Sequence, residues 1–154
     1  MPALPNCRTI VVRMMQLADH PDWVRMRAAL WPETEATAHL AEISALLKDA
    51  NAWAFFAVDG DGTPAGFAEV SIRTCANGCD SQPVPFLEGI WVETLFRRRG
   101  VGAMLVRHIE AFLKGRGFHE WGSDALIDNE ASQAAHGGWG FAEVERVVCY
   151  RKTF

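Results

Sequence analysis

Apolar positions change their period several times along the chain, and each change marks an element. Residues 10–14 form the first apolar run and read as a strand. Asp19 suits a helix N-cap, with Pro21 in the first turn, where its missing N–H is no loss. Trp23, Met26, Arg27 and Leu30 then recur at helical spacing, with Arg27 the polar member of the stripe. Trp31-Pro32 ends that helix, because proline disfavours helical geometry in the residue before it. A second helix is predicted from near Thr37, with Leu40, Ile43 and Leu47 as its buried stripe.

The period then drops to two. Residues 53–58 and 66–72 read as strands joined by the turn Asp59-Gly60-Asp61-Gly62. In the second, Phe67, Glu69 and Ser71 face one way and Ala68, Val70 and Ile72 the other. A polar loop over 74–85 leads to a central strand over 86–92, interrupted by Glu88 and Gly89. After Arg97-Arg98-Arg99-Gly100-Val101-Gly102 comes an amphipathic helix, with Val101, Leu105, His108, Ile109, Phe112 and Leu113 on one side and Gly115 and Gly117 at its end. Residues 118–123 read as a strand, 129–136 as a short helix stopped by Gly137-Gly138, and 144–150 as a last strand. This order predicts a mixed α/β (α+β) domain built around one sheet.

Composition narrows the functional classes. A length of 154 residues suits one domain, 1–154. With 49% hydrophobic and 22% charged residues the balance is that of a soluble globular protein. No segment approaches the roughly 18 uninterrupted apolar residues of a membrane span, and the N-terminus lacks a basic-then-apolar signal layout. The expectation is a cytoplasmic protein with no membrane partner. Cys7, Cys75, Cys79 and Cys149 form no CxxC pair, and no histidine stands at zinc-finger spacing, so reduced thiols and no metal are expected. A formal net charge of −4 argues against nucleic-acid binding and is compatible with a cationic small molecule.

The stretch from Leu87 to Val106 carries the most chemistry. A strand runs into a glycine-containing turn that opens a helix. Gly100 and Gly102 let a ligand approach the backbone, the helix's first N–H groups attract phosphate oxygens, and Arg97, Arg98 and Arg99 add charge. The third glycine of a Rossmann fingerprint and the GK[ST] of a Walker loop are both absent. The remaining alternatives are a pyrophosphate cradle and a merely basic helix start. Arg97-x-x-Gly100-x-Gly102 resembles the acetyl-CoA loop of the GNAT superfamily of N-acetyltransferases. Further blocks, Leu30-Trp31-Pro32, Gly66-Phe67-Ala68-Glu69, Asn77-Gly78-Cys79-Asp80-Ser81, Phe86-Leu87-Glu88-Gly89, Ser123-Asp124 and Glu145-Arg146-Val147, resemble the aminoglycoside 6′-N-acetyltransferases of that superfamily.

That resemblance implies a GNAT fold: a single mixed, mostly antiparallel sheet flanked by helices, with a central βαβ acetyl-CoA site. It implies acetyl transfer from acetyl-CoA to the 6′-amine of drugs such as kanamycin and tobramycin, antibiotic resistance, and a homodimer, in some members with exchanged C-terminal strands. By the same resemblance Trp31, Glu88, Asp124 and Glu145 bind the drug. Ile90, Trp91 and Val92 bond the pantetheine arm, Arg97, Arg98, Arg99, Gly100, Val101 and Gly102 hold the pyrophosphate, and Asn129 contacts CoA. Cys75 stands where the subfamily often has a substrate-lining tyrosine, so drug preference is expected to differ.

The residues themselves leave alternatives open. Glu88, in an apolar strand, needs either a structural arginine partner or a cleft where it meets a cation and serves as base or orienter. Asp124 is a ligand at the carboxyl edge of the sheet or a turn aspartate. Glu145 is a substrate contact or a solvated side chain, and Trp31 a site wall or helix-end packing. Tyr150 is a proton donor to the departing thiolate or a buried tyrosine. His108 and His136 are expected to lack a chemical role. Direct attack in a ternary complex is the expected mechanism, since no cysteine shows a base partner. Acetylation of another amine or peptide, or a non-enzymatic CoA-binding regulatory domain, are the competing functions.

Overall fold

The computed structural model describes residues 9–154, so Cys7 lies outside the described residues. Five strands form one sheet in the order β1-β2-β3-β4-β5. Strands β1 (Val11–Met14), β2 (Ala52–Val58), β3 (Pro64–Arg73) and β4 (Val84–Val92) pair antiparallel in succession, and β5 (Gly122–Ser123) lies parallel to β4. Helices α1 (His20–Leu30) and α2 (Ala36–Lys48) connect β1 to β2. Helix α3 (Val101–Lys114) makes the crossover from β4 to β5, and α4 (Glu130–Gly138) follows.

Strand alternation separates two apolar layers. Phe55, Ala57, Ala68, Val70 and Leu87 pack on one face against Val101, Leu105, Ile109 and Leu113 of α3. Ala54, Phe56 and Phe67 pack on the other against Trp23 and Met26 of α1 and Ile43 of α2. The predicted split of β3 therefore holds. Phe112 is half-buried on the α3 face, whereas His108 is exposed and touches Phe55 only edge-on.

Three expectations are corrected. In α2 the buried stripe is His39, Ile43 and the half-buried Leu46, with Leu40 and Leu47 exposed. His39 takes the inward position, with its Nδ1 within reach of the buried Arg27 Nε. The strand predicted over 118–123 is reduced to Gly122–Ser123. Phe118 and Trp121 leave the sheet to pack against the α3-side core. Residues 144–150 form no strand. A two-residue β5 offers this chain almost no edge to pair with, and Val144, Val147, Val148 and Tyr150 stay exposed. Among the described residues no helix is long and apolar enough to cross a membrane.

Candidate active site

A bulge in β4 creates the site's central feature. Glu69 of β3 stands opposite Gly89, but the next residue, Val70, stands opposite Leu87, so Glu88 is the extra residue. A bulge bends a strand and re-aims its side chains. Here it sends the Glu88 carboxylate to the side of the sheet where α1 packs, toward Ser71 and Arg73. Glu88 Oε1 accepts from the Ser71 hydroxyl and from Arg73 Nε at 2.9 Å, and Oε2 accepts from Arg73 Nη2 at 2.6 Å. The Arg73 guanidinium lies 3.5 Å over the Phe86 ring. Its pKa is raised, chiefly by the bond to Glu88, and Asp124 adds a smaller attraction. Beside this group, a side chain on Gly89 would begin 2.5 Å from Trp31 Cη2, so the bare glycine lets the Trp31 ring lie on β4.

The second feature is a split between the parallel strands. β5 pairs with β4 only at Phe86 and Leu87 and ends at Ser123, while β4 continues to Val92. Among the described residues, no strand pairs with that side of β4 from Glu88 to Val92. Backbone groups alternate in direction along a strand, so every second residue there presents its N–H and C=O to the gap. Past the end of β4, Arg98 and Gly100 adopt left-handed conformations, φ +59° and +79°. No side chain caps the start of α3, and nothing lies within 4 Å of where a Gly100 side chain would stand. The gap and the uncapped helix start together form a cradle for a long ligand with a phosphate end. Residues 20–141 match the acetyltransferase (GNAT) family.

The chain belongs to the GNAT family of acetyltransferases. It is 42% identical to an aminoglycoside N(6′)-acetyltransferase type 1 of Serratia marcescens, over 91% of this chain and 99% of that protein. The crystal structure of an aminoglycoside 6′-N-acetyltransferase from Acinetobacter baumannii superimposes with a TM-score of 0.88 at 35% identity, covering 95% of this chain and 99% of that one. A related enzyme, AAC(6′)-Iy, solved with the bisubstrate analogue CoA-S-monomethyl-acetylneamine, gives a TM-score of 0.88 at 39% identity with the same coverage, 95% and 99%.

In this GNAT chain not every expected site residue joins the group around Glu88. Asp124 is exposed just beyond the end of β5 and reaches the group through Arg73's field. Cys75 is exposed in the loop after β3. Glu145 is exposed in the C-terminal segment, whose Val144 side chain packs on Gly78. Tyr150 is 92% exposed and is not brought to Glu88. Arg97 folds back on β4: its Nε donates to the Val92 carbonyl at 2.9 Å and its guanidinium stacks on Trp91. Gly102 is covered by the Trp139 ring, so its missing side chain serves packing, whereas Gly100 stays open. Asn129 caps α4 by accepting from the Ser132 N–H at 3.0 Å. Among the described residues, no group of histidine, cysteine, aspartate and glutamate side chains is arranged to hold a metal.

Sequence reasoning missed two groupings. His136 Nε2 lies 2.7 Å from the Ser123 hydroxyl, where β4 and β5 part. Beneath Trp31, the buried Arg27 donates to both Glu69 oxygens at 2.6 and 2.7 Å, joined by Trp23 Nε1 at 2.7 Å. The Arg27 guanidinium also stacks 4.7 Å from the Trp31 ring centre. The signal was present: Arg27 is the polar member of the α1 stripe and Glu69 follows Phe67 on one face of β3, and such charged groups are buried in pairs.

Proposed function

We propose that this acetyltransferase moves the acetyl group of acetyl-CoA to the 6′-amine of aminoglycosides such as kanamycin and tobramycin, as a single-domain resistance enzyme of the cytoplasm. The observation that carries this reading is an anionic and aromatic acceptor wall, Glu88 with Trp31 on Gly89, at the mouth of the β4–β5 gap. It is supported by relatives over nearly the whole chain that bear that name. Glu88, Asp124 and Glu145 supply negative charge for a polycation, Trp31 supplies a flat apolar face, and Cys75 leaves room where a larger side chain would narrow the site.

Acetyl-CoA supplies an activated thioester. The open side of β4 at Ile90, Trp91 and Val92 receives the pantetheine arm, and the uncapped start of α3, with Arg98, Arg99, Gly100 and Val101, receives the pyrophosphate. Asn129 flanks that path. The acceptor ammonium first loses one proton to solvent; its nitrogen then attacks the thioester carbonyl, the C–N bond forms, the C–S bond breaks, and the second nitrogen proton goes to the departing thiolate to give the free thiol of CoA. Glu88 binds and orients the acceptor's cation, and outward N–H groups near Trp91 and Val92 polarise the carbonyl. Most of the acceleration comes from holding two reactants in register. The acting form is a homodimer in which the exposed C-terminal segment pairs with a second copy.

The test is acetyl-CoA consumption with kanamycin A or tobramycin beside an aminoglycoside bearing a 6′-hydroxyl. Turnover of the 6′-amino drugs alone is expected. Turnover confined to other amines moves the substrate class, and CoA binding without transfer to any amine overturns the enzymatic reading. Glu88→Gln is expected to raise the drug KM by about tenfold or more, the scale of a lost charge-assisted bond, with a smaller change in kcat. A loss confined to kcat assigns Glu88 to proton removal instead.

A further inference from the structure

Glu88 is already occupied by a cation of the same chain. Arg73 engages both of its oxygens, and the Ser71 hydroxyl adds a third bond. A planar guanidinium held on both oxygens matches a carboxylate better than a single ammonium does. An arriving amine therefore meets a carboxylate whose best acceptor directions are taken and whose charge is neutralised. Asp124 adds a smaller attraction for the same guanidinium. The same guanidinium therefore binds one of the carboxylates assigned to the acceptor and feels the charge of a second.

The pairing is not locked inside the protein. The Arg73 and Glu88 side chains remain 39% and 29% exposed. By contrast, the Arg27–Glu69 pair beneath Trp31 is 5% exposed on both sides. Arg73 also borders a hollow of about 420 Å³ lined by Asn51, Ile72, Thr74, Gln82 and Pro83, which gives its side chain room to turn away. An exposed ion pair of this kind is worth little net stability, so exchange of one cation for another is within reach of substrate binding.

We propose that Arg73 is a built-in competitor for the acceptor's ammonium group: it holds the Glu88 carboxylate in place while the site is empty, and yields it when a polycationic acceptor arrives. This deepens the acceptor reading above and rests on it. A partly buried carboxylate in an apolar strand has a reason to keep such a partner, because leaving it bare is costly. The consequence for specificity is a threshold. An amine must bring enough additional contacts to displace a bidentate guanidinium, so polycationic acceptors are favoured over isolated amines.

The experiment is steady-state kinetics of wild type, Arg73→Gln, Arg73→Lys, Glu88→Gln and the Arg73→Gln/Glu88→Gln double variant, with kanamycin A as acceptor. The acetyl-CoA KM reports whether the cofactor side is intact. Arg73→Gln is expected to lower the kanamycin KM by about threefold to tenfold, the scale of a partly exposed ion pair. Arg73→Lys, which keeps the charge without the fork, falls between Gln and wild type. In the Glu88→Gln background the Arg73 change no longer lowers KM. Loss of the Arg73 effect in that background is the readout a merely structural role does not produce, since it requires the two side chains to act on one another. A KM unchanged or raised in both Arg73 variants overturns the proposal while leaving aminoglycoside turnover by wild type intact. Absence of that turnover in wild type overturns the acceptor reading and this proposal with it. If Arg73→Gln does not fold, the direction of the Arg73→Lys change decides.

Discussion

At the scale of single residues, the site depends on which side chains are absent as much as on which are present. Gly89 has no side chain, and Trp31 fills the space with its ring edge 2.5 Å from the position a Cβ would take. The Leu30 Cδ2 atom is 3.1 Å from the same position, so both side chains at the end of α1 must shift to admit a methyl group. Gly89→Ala is therefore expected to displace Trp31 from the acceptor wall. The predicted outcome is a raised aminoglycoside KM, an acetyl-CoA KM close to wild type, and a stability loss of about 1–3 kcal/mol from overpacking. An unchanged acceptor KM in a folded Gly89→Ala protein removes Trp31 from the acceptor site. Glu88 was legible as a misfit, a carboxylate in an apolar run. An arginine partner was one of the two alternatives it left open, and the structure supplies one; that it is Arg73 was not legible, because period-two alternation assigns sides only while register is regular. The bulge inserts one residue and re-aims Glu88 toward Ser71 and Arg73.

At the scale of elements, capping chemistry and register decided what the residue pattern left open. Asp19 precedes α1 as predicted, yet its carboxylate makes no cap bond to that helix. It accepts instead from Arg13 at 2.6 and 2.9 Å and from the Gln16 N–H at 2.8 Å, tying β1 to the turn before α1. The Arg13 bond is the largest influence on this carboxyl and lowers its pKa below the ordinary aspartate value. A lowered folded-state pKa gives stability that is fully present above the unfolded value and is lost as pH falls through the folded one. Asp19→Asn is thus expected to cost about 1–2 kcal/mol at neutral pH. The difference in Tm between variant and wild type should shrink below the ordinary carboxylate range and vanish in stronger acid. A Tm gap that is constant with pH, or widens toward acid, contradicts the assignment. The α2 stripe failed for a related reason: hydrophobicity favoured Leu40 and Leu47, but a buried arginine on α1 gives His39 a polar partner on the inward face.

At the scale of the whole molecule, the sheet, the α3 crossover and the glycine turn were all legible, because each rests on local periodicity or a local motif. The last strand was not, because a strand exists only where an edge accepts it. Residues 144–150 have the composition of a strand, and β5, two residues long, gives them no edge within the chain. As a result Val144, Val147, Val148 and Tyr150 are 69%, 54%, 75% and 92% exposed along one segment. A free row of backbone groups carrying apolar side chains is a template for another chain, and symmetric pairing of two copies satisfies both at once. The intact protein is therefore expected to elute with a scattering mass twice the 17.1 kDa of one chain. A Val147→Asp/Val148→Asp variant should shift to the single-chain mass while its circular dichroism stays close to wild type, since neither residue belongs to the buried core. Because Glu145 lies in the same segment, the monomeric form should also show a raised aminoglycoside KM. A single-chain mass for the wild type at micromolar concentration overturns the dimer. A dimer that survives both aspartates places the interface elsewhere on the molecule.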